Sequence, residues 1–97
     1  MKDFILLMHA DTTSPERDED WEGYIGRLIG EGIFQCGSSI GPGQAYRKQG
    51  DAAPLTRQLT GYLKIQADSL EVARAALIGN PTFEAGGTVE VRELVVN

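Results

Sequence analysis

The chain has 97 residues, nine of them basic and fourteen acidic, for a net charge of −5 with 41% apolar composition; that leaves room for one domain, residues 1–97, and none for a second lobe. The charge has the wrong sign for displacing counterions from a phosphate backbone, which excludes nucleic acid as an expected partner. Cys36 is the only cysteine, unable to form an internal disulfide and too few for a zinc site, and the short apolar start is broken by His9 and Asp11; a reducing cytoplasm is expected, with no signal peptide and no membrane span.

Residues 3–10 form an apolar run of buried-strand length ahead of the turn-rich Asp11-Thr12-Thr13-Ser14-Pro15, and are read as strand β1. Ser14 followed by Pro15 suits a helix start, serine as cap and proline in the first turn. In the helix α1 that follows, Trp21, Tyr24, Ile25, Leu28 and Ile29 fall on one stripe, and Gly32 supplies the stop. Gly23, Gly26 and Gly30 cost helix stability and predict a closely packed neighbour. Residues 33–40 alternate as strand β2, with Phe34 and Cys36 on a common face. The long connection after Gly41-Pro42-Gly43 predicts an extra hairpin, residues 45–47 against 55–57. Residues 60–67 alternate Tyr62 and Lys64 against Leu63 and Ile65, giving strand β3 with one wet and one dry face. Asp68-Ser69-Leu70-Glu71 reads as a capping box with Asp68 as the cap, opening helix α2 to about Ile78, and Gly79-Asn80-Pro81 ends it. Residues 88–96 alternate again as strand β4.

The order β-α-β-β-α-β folds through right-handed crossovers into a ferredoxin-like α+β sandwich, with both helices on one face of a four-stranded sheet. Strand β1 is central and apolar on both sides, so the bare face needs cover. A homodimer joined sheet face to sheet face provides it.

The run Phe4-Ile5-Leu6-Leu7-Met8-His9-Ala10-Asp11, the Trp21 helix ending Glu31-Gly32-Ile33-Phe34, Gly61-Tyr62-Leu63-Lys64-Ile65 before Asp68-Ser69-Leu70-Glu71-Val72-Ala73, and Gly79-Asn80-Pro81 with Gly86-Gly87-Thr88-Val89-Glu90-Val91-Arg92 together resemble the YCII-related family, including its DGPF-like branch. The likeness spans nearly the whole chain. It implies a dimeric α+β barrel, a pocket lined by the sheet and neighbouring loops, and compatibility with a small-molecule enzyme. Where that branch carries Asp-Gly-Pro-Phe, this chain reads Gly50-Asp51-Ala52-Ala53-Pro54-Leu55, and its sole histidine is His9 on β1 rather than a helical one.

His9 and Asp11 lie two apart, so along an extended strand they share a face. The carboxylate would orient an imidazole, the side chain best suited to moving protons near neutral pH. The alternative is a hydrogen-bonded strand-end histidine beside a turn aspartate. Glu90 with Arg92 on β4, and Tyr62 with Lys64 on β3, make either a polar patch that holds an anionic substrate or a set of cross-strand ion pairs. Arg47, Lys48 and Arg57 add local positive charge that would steer an anion or pair with the acidic first helix of a second copy. Trp21 is either a core anchor or a platform at the pocket mouth. Gly37-Ser38-Ser39-Ile40-Gly41 matches a nucleophile elbow only by letters, since no helix follows. The acids around Asp18, Asp20 and Glu22 place Ile29 where a calcium loop needs its last carboxylate. Neither metal nor cofactor is expected: there is no dinucleotide fingerprint and no heme or iron–sulfur ligand set.

Two functional readings remain. In one, the chain is an enzyme whose His9 and Asp11 perform proton-transfer chemistry, an isomerisation, elimination or lactone reaction, on a small anionic or cyclic metabolite held by Trp21, Arg57, Tyr62, Glu90 and Arg92. In the other, it is a non-catalytic ligand-binding or protein-interaction module on the same scaffold.

Overall fold

The computed structural model describes residues 1–52 and 58–96. Its elements are β1 (Lys2–His9), α1 (Asp18–Gly30), β2 (Phe34–Ser39), β3 (Leu59–Ala67), α2 (Leu70–Ala75), α3 (Pro81–Glu84) and β4 (Val89–Leu94). The strands form one sheet in the order β2-β3-β1-β4, every neighbouring pair antiparallel. This is the ferredoxin-like α+β arrangement predicted above. Arg57 and the second arm of the predicted hairpin lie outside the described residues, and residues 45–47 take no strand conformation.

The sheet sorts its side chains by parity, as a pleated strand must. On β1, Phe4, Leu6 and Met8 are almost wholly buried, and Leu63 and Ile65 of β3 join them from the next strand. Tyr24 and Leu28 of α1 and Ala73 of α2 close this core from above. The opposite face of β1 carries Asp3, Ile5, Leu7 and His9, of which Ile5 and Leu7 remain half-buried. Register puts Lys64 and Arg92 on either side of Ile5, and Tyr62 and Glu90 on either side of Leu7. The helices therefore cover one face and leave the other to a mixture of apolar and charged side chains.

Several local expectations are corrected. Helix α1 starts at Asp18, not at Ser14: its cap, Arg17, makes no side-chain capping bond, and the Ser14 hydroxyl instead donates to the Ala85 carbonyl. Three acids in its first turn, Asp18, Glu19 and Asp20, favour the positive end of the helix dipole. Gly23, Gly26 and Gly30 face open space rather than a tight neighbour. The cap of α2 is Ser69, accepting from the Val72 amide at 3.2 Å, one residue later than the capping-box reading placed it. Past Gly79, at φ +84°, Asn80 caps a further short helix, α3, through the Phe83 amide at 3.1 Å; proline in the first turn is compatible with that start. Cys36 does not share a face with Phe34 and is exposed, because the β2–β3 register shifts between the two and turns them to opposite faces.

Gly37 is where the edge strand comes closest to its neighbour. A Cβ there would collide with Leu63 Cδ2 and sit 2.8 Å from the Tyr62 carbonyl oxygen. Gly37→Ala is expected to destabilise the fold by about 1–3 kcal/mol, the usual range for overpacking, as a lower midpoint in chemical denaturation.

Candidate active site

His9 is the last residue of β1, where its register against β3 slips between Met8 and His9. On the β4 side the ladder continues one more rung, the His9 amide donating to the Thr88 carbonyl at 3.0 Å. Glu90 stands two residues beyond Thr88 on the same face, a diagonal neighbour within reach of a long side chain. The result is a contact of 2.7 Å between His9 Nε2 and Glu90 Oε2, with the two side chains 23% and 39% exposed. An ionised carboxylate only accepts, so Nε2–H donates to it and the Nδ1 lone pair is left to take a proton. The other oxygen, Glu90 Oε1, lies 3.7 Å from Arg92 Nε, so one carboxylate holds both the imidazole and a guanidinium.

Asp11 does not make the hydrogen bond to the His9 ring expected of it; its carboxylate is taken up by Thr88 instead. Its Oδ1 accepts from the Thr88 amide at 2.7 Å and its Oδ2 from the Thr88 hydroxyl at 2.6 Å. These bonds, the hydroxyl's first, hold its carboxyl below the ordinary value of 3.8. A carboxyl with a lowered pKa in the fold contributes stability that is fully present above the ordinary value and is lost as pH falls through the lowered one. The acid limb of the unfolding curve below about pH 3.8 is therefore expected to flatten in Asp11→Asn, as read by circular dichroism against pH.

Of the other predicted residues, Tyr62 lies on the open face, across Leu7 from Glu90, and Arg92 is tied to Glu90. Trp21 is not brought to this face. It packs against the helix-side core and edge-on to Tyr24, and its indole Nε1–H donates to Glu16 Oε1 at 2.8 Å. The physical reason is the position of α1, which covers the opposite side of the sheet. Glu90 was legible in the sequence but not its pairing, since that requires the β1–β4 register; Thr88 carried no signal beyond following Gly86-Gly87.

A cleft of about 500 Å³ lies elsewhere, between α1 and α3, and carries Glu16, Glu19, Asp20 and Glu84 on its walls. Four carboxylates against the single guanidinium of Arg27 make it poorly suited to an anion. The His9–Glu90 pair lies on the opposite side of the sheet from this cavity. Among the described residues no group of three or more metal-ligating side chains gathers, and no helix is long and apolar enough to cross a membrane.

Neither a family model nor a curated protein matches the sequence. Among solved structures, the chain is similar to 5-chloro-2-hydroxyhydroquinone dehydrochlorinase from Burkholderia phenoliruptrix AC1100, determined in complex with 2,5-dihydroxybenzoquinone. The TM-score is 0.57 at 13% identity, over 98% of this chain and 95% of that one. At that identity the likeness is one of fold.

Proposed function

We propose that the chain is a YCII-like, DGPF-like small-molecule enzyme, working as a cytoplasmic homodimer, in which His9 is the general base and Glu90 sets its tautomer. The observation that carries this reading is the 2.7 Å His9–Glu90 contact on the sheet face that the helices leave uncovered. His9 Nδ1 takes a proton from the substrate, the electron pair left behind forms the new double bond, and a leaving group departs with its own pair; without a leaving group the proton returns elsewhere and the outcome is isomerisation. The substrate is a compact cyclic anion, its charge held by Arg92 and its ring against Tyr62, Ile5 and Leu7. The structural relative's action on a hydroxylated, chlorinated ring supports a substrate of that class.

The test is chloride release from 5-chloro-2-hydroxyhydroquinone. Release that exceeds the protein-free rate and is lost in His9→Ala supports the reading. If 2,5-dihydroxybenzoquinone binds but the chain releases no chloride and exchanges no substrate proton for solvent deuterium, the reading as an enzyme falls and the binding module takes its place.

A second copy stacks on the side the helices leave open and so encloses a pocket there. With Ile5, Leu7 and Tyr62 half-buried in the single chain, a charge at the center of this face has nowhere dry to go. Leu7→Lys is expected to convert a dimer to a monomer in sedimentation at micromolar concentration; a wild-type monomer of 10.5 kDa would contradict the assembly.

A further inference from the structure

We infer that Asp11 is a positioning residue for the His9–Glu90 pair, acting through Thr88 and touching no substrate. The inference rests on the reading of His9 as the base, but its test does not require turnover.

Strand β1 lacks a regular partner at its end. After Met8 its pairing with β3 slips by one residue, so His9 is not held from that side by regular ladder geometry, and the next amide, that of Ala10, turns to the Gln58 carbonyl at 2.6 Å. On the β4 side the last rung is half-made by backbone: the His9 amide donates to the Thr88 carbonyl, while the Thr88 amide finds its acceptor in the Asp11 carboxylate. The second carboxylate oxygen takes the Thr88 hydroxyl. Asp11 thus extends the β1–β4 pairing past the point where the β1 backbone leaves it.

Thr88 is bonded through its carbonyl to one member of the pair and lies two residues from the other. Fixing Thr88 fixes the spacing and the diagonal angle between His9 and Glu90. Bidentate bonds to a charged acceptor are among the more directional that a side chain makes, so they fix the place of Thr88 as well as adding stability. Other bonds already staple this loop, the Thr13 amide and hydroxyl both meeting the Ala85 carbonyl, and those do not involve Thr88.

The test reads the His9 ring by nitrogen-15 NMR, at a pH high enough for the imidazole to be neutral, in wild type, Asp11→Asn, Thr88→Val, Thr88→Ser and Thr13→Val. In wild type Nε2 is expected in the protonated range and Nδ1 in the unprotonated range. In Asp11→Asn and Thr88→Val the two signals should move toward each other as the tautomers mix, and Thr88→Ser should restore the wild-type pattern. Thr13→Val should lower the melting temperature and leave the ring pattern unchanged. If Asp11→Asn fails to fold, Thr88→Val, which keeps the backbone bond, carries the test. Wild-type ring signals in folded Asp11→Asn and Thr88→Val would overturn the inference and leave Asp11 as a loop staple. A shifted pattern together with no turnover in wild type would keep the inference and remove the catalytic reading instead.

Discussion

His9→Ala is expected to reduce turnover of a small cyclic anion by roughly 10²–10⁴-fold, the span usually contributed by a positioned acid–base group, with the melting temperature close to wild type. The second half of that expectation follows from position. His9 stands at the end of its strand, with its side chain 23% exposed and outside the helix-side core, so truncating it opens no buried cavity. The loss should appear mainly in kcat, because the ring is assigned to proton transfer and Arg92 to substrate binding; Arg92→Ala should mainly raise KM. Glu90→Gln should fall between them: the amide keeps the size of the side chain but can present either a donor or an acceptor to the imidazole, so the tautomer is no longer imposed. Turnover at the wild-type rate in His9→Ala would show that the histidine serves only the strand end.

The other large effect concerns stability. Phe4→Ala is expected to cost about 3–5 kcal/mol, the usual range for deleting a buried aromatic ring, in a domain whose total stability is expected to be about 5–15 kcal/mol. Phe4 is 1% exposed at the center of the sheet, opposite Ile65 on one side and Glu93 on the other, and belongs to the cluster that also holds Leu6, Leu28 and Ile65. Urea denaturation of wild type and variant measures the difference; a change below 1 kcal/mol would mean that the core repacks around the loss. Ile5→Ala, one residue away on the uncovered face, is expected to cost much less in a dilute monomer, because Ile5 is only half-buried there. Comparing these neighbours separates what the helices stabilise from what a second copy would.

The fold was legible because its signals are periodic. The alternation in β3 and β4 and the Trp21–Leu28 stripe identified the elements, and right-handed crossovers then fixed the sheet order. What was missed depends on non-local geometry or on one-residue choices. Ser14 and Asp68 both have the residue type of a cap, yet Ser14 is drawn off by the Ala85 carbonyl and Asp68 yields to Ser69. A register slip at Gln35, invisible to a period-2 pattern, moved Cys36 to the surface. Helix α3 was hidden because Gly79-Asn80-Pro81 is both a stop and, through the Asn80 cap, a start. The site shows the same division. His9, Glu90, Arg92 and Tyr62 were recognisable by type and face, but Asp11 seemed His9's partner because adjacency in sequence was the only distance available. The β1–β4 register instead gives the imidazole to Glu90 and Asp11 to Thr88.

The proposed reading places a small ring anion, and the chemistry done on it, at the uncovered sheet face around His9. Its most direct test is a titration of the full chain with 2,5-dihydroxybenzoquinone, followed by NMR of the His9 ring and the backbone amides. Saturable shifts are expected at His9, Leu7, Tyr62, Glu90 and Arg92, with the α1–α3 cleft silent; shifts gathered at Glu16, Glu19 and Glu84, or none anywhere, would contradict this placement.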